Sequence, residues 1–156
     1  MTATKTIDPV ELLKEDHEKV KQLFKQFEDG KSASSRMNAA RKAIQELEIH
    51  AEIEEKIFYP AFHKESKADD ADSVFREATE EHHVQHLLIG ELKKMQDDDP
   101  EFEAKFTVLA ENVQHHIKEE ESEMLKEAEE LDDDLLASLG SDMMARKKEL
   151  MEAAKG

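Results

Sequence analysis

The stretch P-V-E-L-L-K-E-D-H-E-K-V-K-Q-L-F-K-Q-F-E-D, residues 9–29, decides the fold class. Its apolar residues Val10, Leu13, Val20, Phe24 and Phe27 recur at alternating steps of three and four, the signature of one buried face of an α-helix. His17 fills the one gap in that stripe, so a polar ring sits in the middle of an otherwise apolar face. Asp8-Pro9 supplies an N-cap and a first helical residue, Glu11 stands where it can complete a capping box, and Gly30 marks the stop.

A helix with one apolar stripe needs partners of the same kind, and three follow. The second helix is predicted from about Arg36 to Lys64, with the stripe Ala43, Leu47, His50, Glu54, Ile57, Ala61. The third runs from about Ala71 to Gln96 along Phe75, Ala78, His82, Gln85, Ile89, Leu92. The fourth opens at Asp99-Pro100 and runs to about Glu130 along Phe102, Phe106, Leu109, Val113, His116, Glu120. Short polar connections make sequential helices antiparallel neighbours. The fold expected is all-α, an up-down four-helix bundle. A last amphipathic stretch, about Asp133 to Ala153, is interrupted by Gly140 and should pack across the bundle. The chain reads as a single domain, bundle about 8–130 and tail 131–156.

Composition agrees. Only 4 Gly and 3 Pro in 156 residues leave little turn chemistry for a strand-rich fold, while 38% hydrophobic residues suffice for one core. The net charge of −17 argues against phosphate-binding surfaces and against docking on anionic membranes. The absence of cysteine removes disulfides and thiolate metal sites. The N-terminal residues lack the apolar run of a secretion signal, and no stretch approaches the roughly 20 apolar residues of a membrane span. A cytoplasmic location is the expectation; the oligomeric state is left open.

Each of the four stripes is interrupted near its centre by histidine, and the second and fourth also by a carboxylate, at heights that agree to within a few ångströms when counted along antiparallel helices at ~1.5 Å per residue. Buried carboxylates such as Glu54 and Glu120 need cations beside them, and no lysine or arginine shares those stripes. Two divalent metal ions would satisfy them, and mixed imidazole and carboxylate donors suit iron, manganese or zinc. The i, i+4 pairs His50–Glu54 and His116–Glu120 place each imidazole one turn from its carboxylate. His63, His83 and His115 lie off the stripes. His86 lies one turn beyond His82 but beside the stripe position Gln85, and is included as a candidate ligand.

The segments D-H-E-K-V-K-Q-L-F (16–24), H-A-E-I-E-E-K-I-F-Y-P (50–60), E-H-H-V-Q-H (81–86) and H-H-I-K-E-E-E (115–121) resemble the hemerythrin family, and more narrowly the bacterial hemerythrin HHE cation-binding proteins. The resemblance implies two non-haem iron ions, oxo- or hydroxo-bridged. It assigns His17, His50, His82 and His116 as imidazole ligands, Glu54 as a bridging carboxylate, and Glu120 as the fourth-helix carboxylate. The spacing in oxygen carriers would point instead to Glu121. Those carriers also have a second third-helix histidine, which His86 reproduces, whereas many bacterial relatives have only the first. It further implies that dioxygen, or a small oxidant such as peroxide or nitric oxide, is the partner, held in an apolar pocket for which Phe24, Leu47, Ile57 and Val113 are candidates. Binding or sensing is the leading expectation. An oxidoreductase acting on peroxide, nitric oxide or ferrous iron, or a metal-storage bundle, is the alternative. Five histidines favour reversible binding and four favour turnover. No further acid, base or nucleophile is evident on the stripes. Leu125-Lys126 stands where relatives often carry Phe-Pro, so the fourth helix is expected to run straighter and longer.

Overall fold

The computed structural model describes residues 6–155. Its helices are α1 (Pro9–Asp29), α2 (Ala33–Ile53), a π-helical turn (Glu54–Phe58), α3 (Tyr59–Glu65), α4 (Ala71–Lys94), α5 (Pro100–Ser122), α6 (Met124–Ala128) and α7 (Asp133–Lys155), and no strand occurs among the described residues. α1, the α2–α3 rod, α4 and the α5–α6 rod are the four bundle helices, with α7 laid against α1 and α2. The ends follow local chemistry. The Asp8 carboxylate accepts the Val10 N–H at 2.9 Å, and Asp99 accepts the Glu101 N–H at 2.9 Å. Glu11 adds first-turn charge, and no bond from it to the Asp8 N–H is present among the described residues.

The core divides into two apolar clusters, one built around Phe24, Phe27, Phe102 and Phe106, the other around Phe58, Tyr59, Phe62, Leu125 and Met143. Along each long helix the buried polar residues fall between the two. A layer of imidazole and carboxylate is thus sealed above and below by hydrocarbon, which keeps water out and holds its side chains in fixed rotamers.

Three features differ from the sequence reading. The second rod is not a plain α-helix: its π turn bonds the Tyr59 N–H to the Glu54 carbonyl. This inserts one residue, so the expected stripe positions Ile57 and Ala61 are only half-buried, and Phe58, Tyr59 and Phe62 take the core. The fourth rod does not run straight and unbroken to about Glu130, as the sequence led us to expect. It breaks at Glu123 (φ −117°, ψ −74°), and the new direction buries Met124, Leu125 and Ala128.

Nor does Gly140 interrupt the last helix, since α7 is continuous. Gly140 is buried because the Ile7 backbone crosses it, and a Cβ there would overlap the Ile7 carbonyl. A backbone obstacle cannot swing aside as a side chain does. Gly140→Ala is therefore expected to destabilise by about 1–3 kcal/mol despite the better helix propensity of alanine. Thermal melting checks this, and an unchanged or raised Tm would remove the close approach as the reason for glycine.

At the foot of the bundle, burial together with the neighbouring Asp70 and then Glu123 pushes the Glu127 carboxyl up to about 7, against an ordinary 4.5. A carboxyl raised in the folded state contributes stability that is complete below pH ~4.5 and is lost as pH rises towards 7. Glu127→Gln should therefore melt higher than wild type at pH 8 and show no such gain at pH 5. Equal differences at the two pH values would contradict the assignment.

Candidate metal centre

Six of the seven residues expected to hold metal come together in the buried layer. α1 supplies His17, α2 His50, the π turn Glu54, α4 His82, and α5 His116 and Glu120, none more than 8% exposed. Their donor atoms form two adjoining groups, His17/His50/Glu54/Glu120 and Glu54/His82/His116/Glu120, in each of which the atoms lie within 4.8 Å of one another. Both carboxylates belong to both groups. The two groups therefore form one continuous layer of donors that could hold metal.

The donor atoms are aimed at shared points rather than at each other. His17 Nε2 lies 3.2 Å from Glu120 Oε1, and His50 Nε2 lies 3.1 Å from Glu54 Oε1. Yet His17 Nε2, His50 Nε2, Glu54 Oε2 and Glu120 Oε1 are all buried without a hydrogen-bond partner. Buried polar atoms rarely stay unpaired, and these four, all in the His17/His50/Glu54/Glu120 group, fit a cation between them.

The outer nitrogens are satisfied with equal regularity. Each Nδ1 meets a carboxylate: His17 with Glu121 at 2.7 Å, His50 with Asp16 at 2.9 Å, His82 with Glu55 at 2.8 Å, His116 with Glu81 at 2.8 Å. When Nδ1–H donates outwards, the Nε2 lone pair faces inwards, which is the tautomer a metal requires. Of these four carboxylates, Asp16 also carries a cation, Lys147, which α7 brings to 2.5 Å of its Oδ1. The tail is thereby tied to the His50 side of the centre.

Charge follows the same pattern. Burial alone would depress the histidines, but for His116 hydrogen bonds to Glu120 and Glu81 outweigh it and carry the group to about 10. His50 is raised well above its ordinary value against burial by the charge of Glu54 and its bond to Asp16, and His82 is raised by bonds to Glu54 and Glu55. Against its own burial, Glu55 is held at about 2 by His82 and His86. Without metal, imidazolium rings thus neutralise the buried carboxylates, and bound cations take over from those protons.

His86 is the seventh expected ligand, and the structure does not bring it into either group. It is 47% exposed, and its Nε2 contacts Glu55 at 2.6 Å, behind His82. One helical turn carries it from His82 outwards, because the inward position of that turn belongs to Gln85, which is buried. Glu120 faces the layer while Glu121 stands outside it on His17 Nδ1. His63, His83 and His115 are away from the layer, as expected from the stripes.

What the stripes missed is Tyr59. Its hydroxyl lies 3.1 Å from His82 Nε2, 3.1 Å from His116 Nε2, 3.2 Å from Glu54 Oε1 and 2.5 Å from Glu120 Oε2. Burial and the charges of Glu120 and Glu54 push the phenol well above its ordinary value, so it is protonated here. Tyr59 reaches the layer only because the π turn advances the register. The signal was Pro60, which offers no N–H to the preceding turn and crowds the carbonyl four residues back.

A pinched cavity of about 10 Å³ adjoins the four histidines, walled by Val20, Leu47, Ala51, Val113 and Ile117 and flanked by Gln85. Leu47 and Val113 line it as expected. Phe24 and Ile57 do not, Phe24 being packed against Phe106 and Ile57 having been turned off the stripe by the π turn. The Gln85 amide nitrogen is buried and makes no hydrogen bond.

Residues 8–128 match the hemerythrin HHE cation-binding domain. The chain belongs to that family. A solved structure of a hemerythrin HHE cation-binding domain-containing protein from Mycobacterium kansasii superposes with a TM-score of 0.77 at 25% identity, covering 95% of this chain and 90% of that one. A curated relative named DNA nickase, from Nostoc sp. (strain PCC 7120 / SAG 25.82 / UTEX 2576), is 26% identical over 112 residues. The match takes in 72% of this chain and 31% of that protein, so the chain spans about a third of the relative's length. The HHE fold, a helical bundle with an added C-terminal helix, and a histidine–glutamate cluster suited to metal are thus common ground between sequence, structure and family. No helix among the described residues is long and apolar enough to cross a membrane.

Proposed function

We propose that this HHE protein is a non-haem di-iron protein that takes dioxygen or a related small oxidant into the cavity beside His17, His50, His82 and His116, and that it turns the oxidant over rather than carrying it. The observation that supports the reading is the pair of donor groups sharing Glu54 and Glu120, with four inward donor atoms left unpaired. His17 and His50 would hold one ion and His82 and His116 the other, with both glutamates between them. When bound, two irons supply the electrons that an oxidant draws, and the chain governs access and protons.

Turnover is favoured over reversible carriage by the exchange of His86 for Tyr59. An outer histidine would close one ion inertly. A tyrosine hydroxyl within hydrogen-bond reach of both bridging carboxylates holds a proton at the reaction layer and can pass it between Glu54 Oε1 and Glu120 Oε2. Apolar walls exclude water from the cavity, and the unpartnered Gln85 amide offers a donor to a small ligand there. The nicking activity that the relative's name describes is not part of this reading, which rests on the buried donor layer; a net charge of −17 disfavours phosphate binding overall.

The test is titration of the reduced, iron-loaded chain with oxygen and with peroxide. Sustained consumption is expected. A spectrum that returns on purging with inert gas would establish carriage instead, and no spectral response would leave a metal-holding bundle. Tyr59→Phe should retain both irons but slow peroxide consumption at least tenfold. Unchanged rates would take Tyr59 out of the chemistry.

A further inference from the structure

A cation cannot reach a sealed layer without a route, and the flank between α4 and α5 is built unlike the others. There a narrow crevice, pinched to about 10 Å³, is lined by Glu77, Glu81, Glu119 and Glu123 together with His116 and Glu120. Glu120 is 3% exposed, and its Oε1 has no hydrogen-bond partner. At the rim, Glu81, His115 and Glu119 bring one donor atom each within 4.8 Å of one another, with His115 Nε2 3.0 Å from Glu119 Oε1. Glu81 belongs to this trio and also contacts His116 Nδ1 at 2.8 Å, so rim and floor are linked through one carboxylate. The flank between α1 and α5 differs, a wider groove in which Lys14, Lys21, Lys118 and Lys126 outnumber the one carboxylate, Glu121, with His115 also on its lining.

We propose that the α4/α5 crevice is the portal through which divalent transition-metal ions load the centre, with Glu81, His115 and Glu119 as their receiving site. A mixed imidazole and carboxylate trio takes such an ion in preference to the alkali and alkaline-earth ions that carboxylates alone collect. Four carboxylates at a narrow mouth concentrate cations and speed their arrival. An ion held by Glu81 and Glu119 then has the His116 ring and the Glu120 carboxylate below it, with Glu120 Oε2 3.0 Å from His116 Nε2, and passes inwards by movement of that ring. The proposal rests on the reading of the buried layer as a metal centre.

The experiment loads the metal-free full chain with Co²⁺ and follows the cobalt absorption by stopped flow, with end-point metal content measured separately. The rim variant Glu77→Gln/Glu119→Gln/Glu123→Gln leaves every buried ligand and its carboxylate partner in place. It should load at least tenfold more slowly and reach the wild-type end point. A control with the same loss of charge elsewhere, Glu15→Gln/Glu28→Gln/Glu101→Gln, should slow loading less than twofold. His115→Ala should slow it severalfold. Rim and control variants loading alike would overturn the portal, as would slowing by His86→Ala in place of the rim variant, which would put the route on the Glu55 face. A wild-type chain that takes up no cobalt would instead overturn the buried centre, so the two failures are distinguishable.

Discussion

Replacement of either shared carboxylate should empty the whole centre, not half of it. Glu54 and Glu120 each belong to both donor groups, whereas each histidine belongs to one. Glu54→Gln or Glu120→Gln keeps the side-chain volume but removes one anionic ligand from both ions at once. Metal content is expected to fall from two per chain to well under one, measured by elemental analysis after loading and gel filtration. The neighbouring changes Glu55→Gln and Glu121→Gln touch only the outer nitrogens of His82 and His17, so two ions should remain, bound more weakly. His86→Ala should likewise leave the stoichiometry at two, since it acts only through Glu55. Retention of one ion per chain in Glu54→Gln would show that the glutamates do not bridge. Loss of metal in Glu121→Gln equal to that in Glu120→Gln would move the fourth-helix ligand by one residue.

Metal removal should lower the melting temperature by about 10 °C. A ligand present at a thousand times its Kd stabilises the folded state by ~4 kcal/mol, and in chains of this size each kcal/mol shifts Tm by ~2–4 °C. The effect stops short of unfolding because the metal-free layer is internally paired. His50 and His82 stand against Glu54, and His17 and His116 against Glu120, at 3.0–3.2 Å. The raised basicity of His50, His82 and His116 lets protons offset part of the missing cationic charge, while four buried donor atoms stay unsatisfied. Differential scanning calorimetry with and without chelator reads this directly. Superimposable curves would mean that the layer does not hold metal.

The bundle and most of its inner layer were legible in one dimension because both obey the helical period. An apolar residue every three or four positions sets the buried face, so a histidine or glutamate standing in that stripe must be buried as well. His17, His50, Glu54, His82, His116 and Glu120 follow from periodicity alone, and so does the exclusion of His63, His83 and His115. Capping by Asp8 and Asp99 was equally local, involving side chains and N–H groups two residues apart.

Tertiary structure decided whatever departs from that period or joins distant segments. The π turn at 54–58 adds one residue to a single turn, and every stripe position after it moves: Ile57 and Ala61 give way to Phe58 and Phe62, and Tyr59 swings into the centre. His86 lies outside the buried layer, clustered with Glu55 and His82, for a related reason. Residues one turn apart share a face, but a face is wider than the layer, and only packing against Glu55 determines that the ring ends outside. Gly140 reads as a helix breaker in isolation and is instead the point where the Ile7 backbone crosses α7. Lys147 reaches Asp16 across 131 residues of chain. Local periodicity carries no information on which side chain meets which across such a separation. That is settled when α7 packs on α1 and α2, and with it the charge environment of the His50 side of the centre.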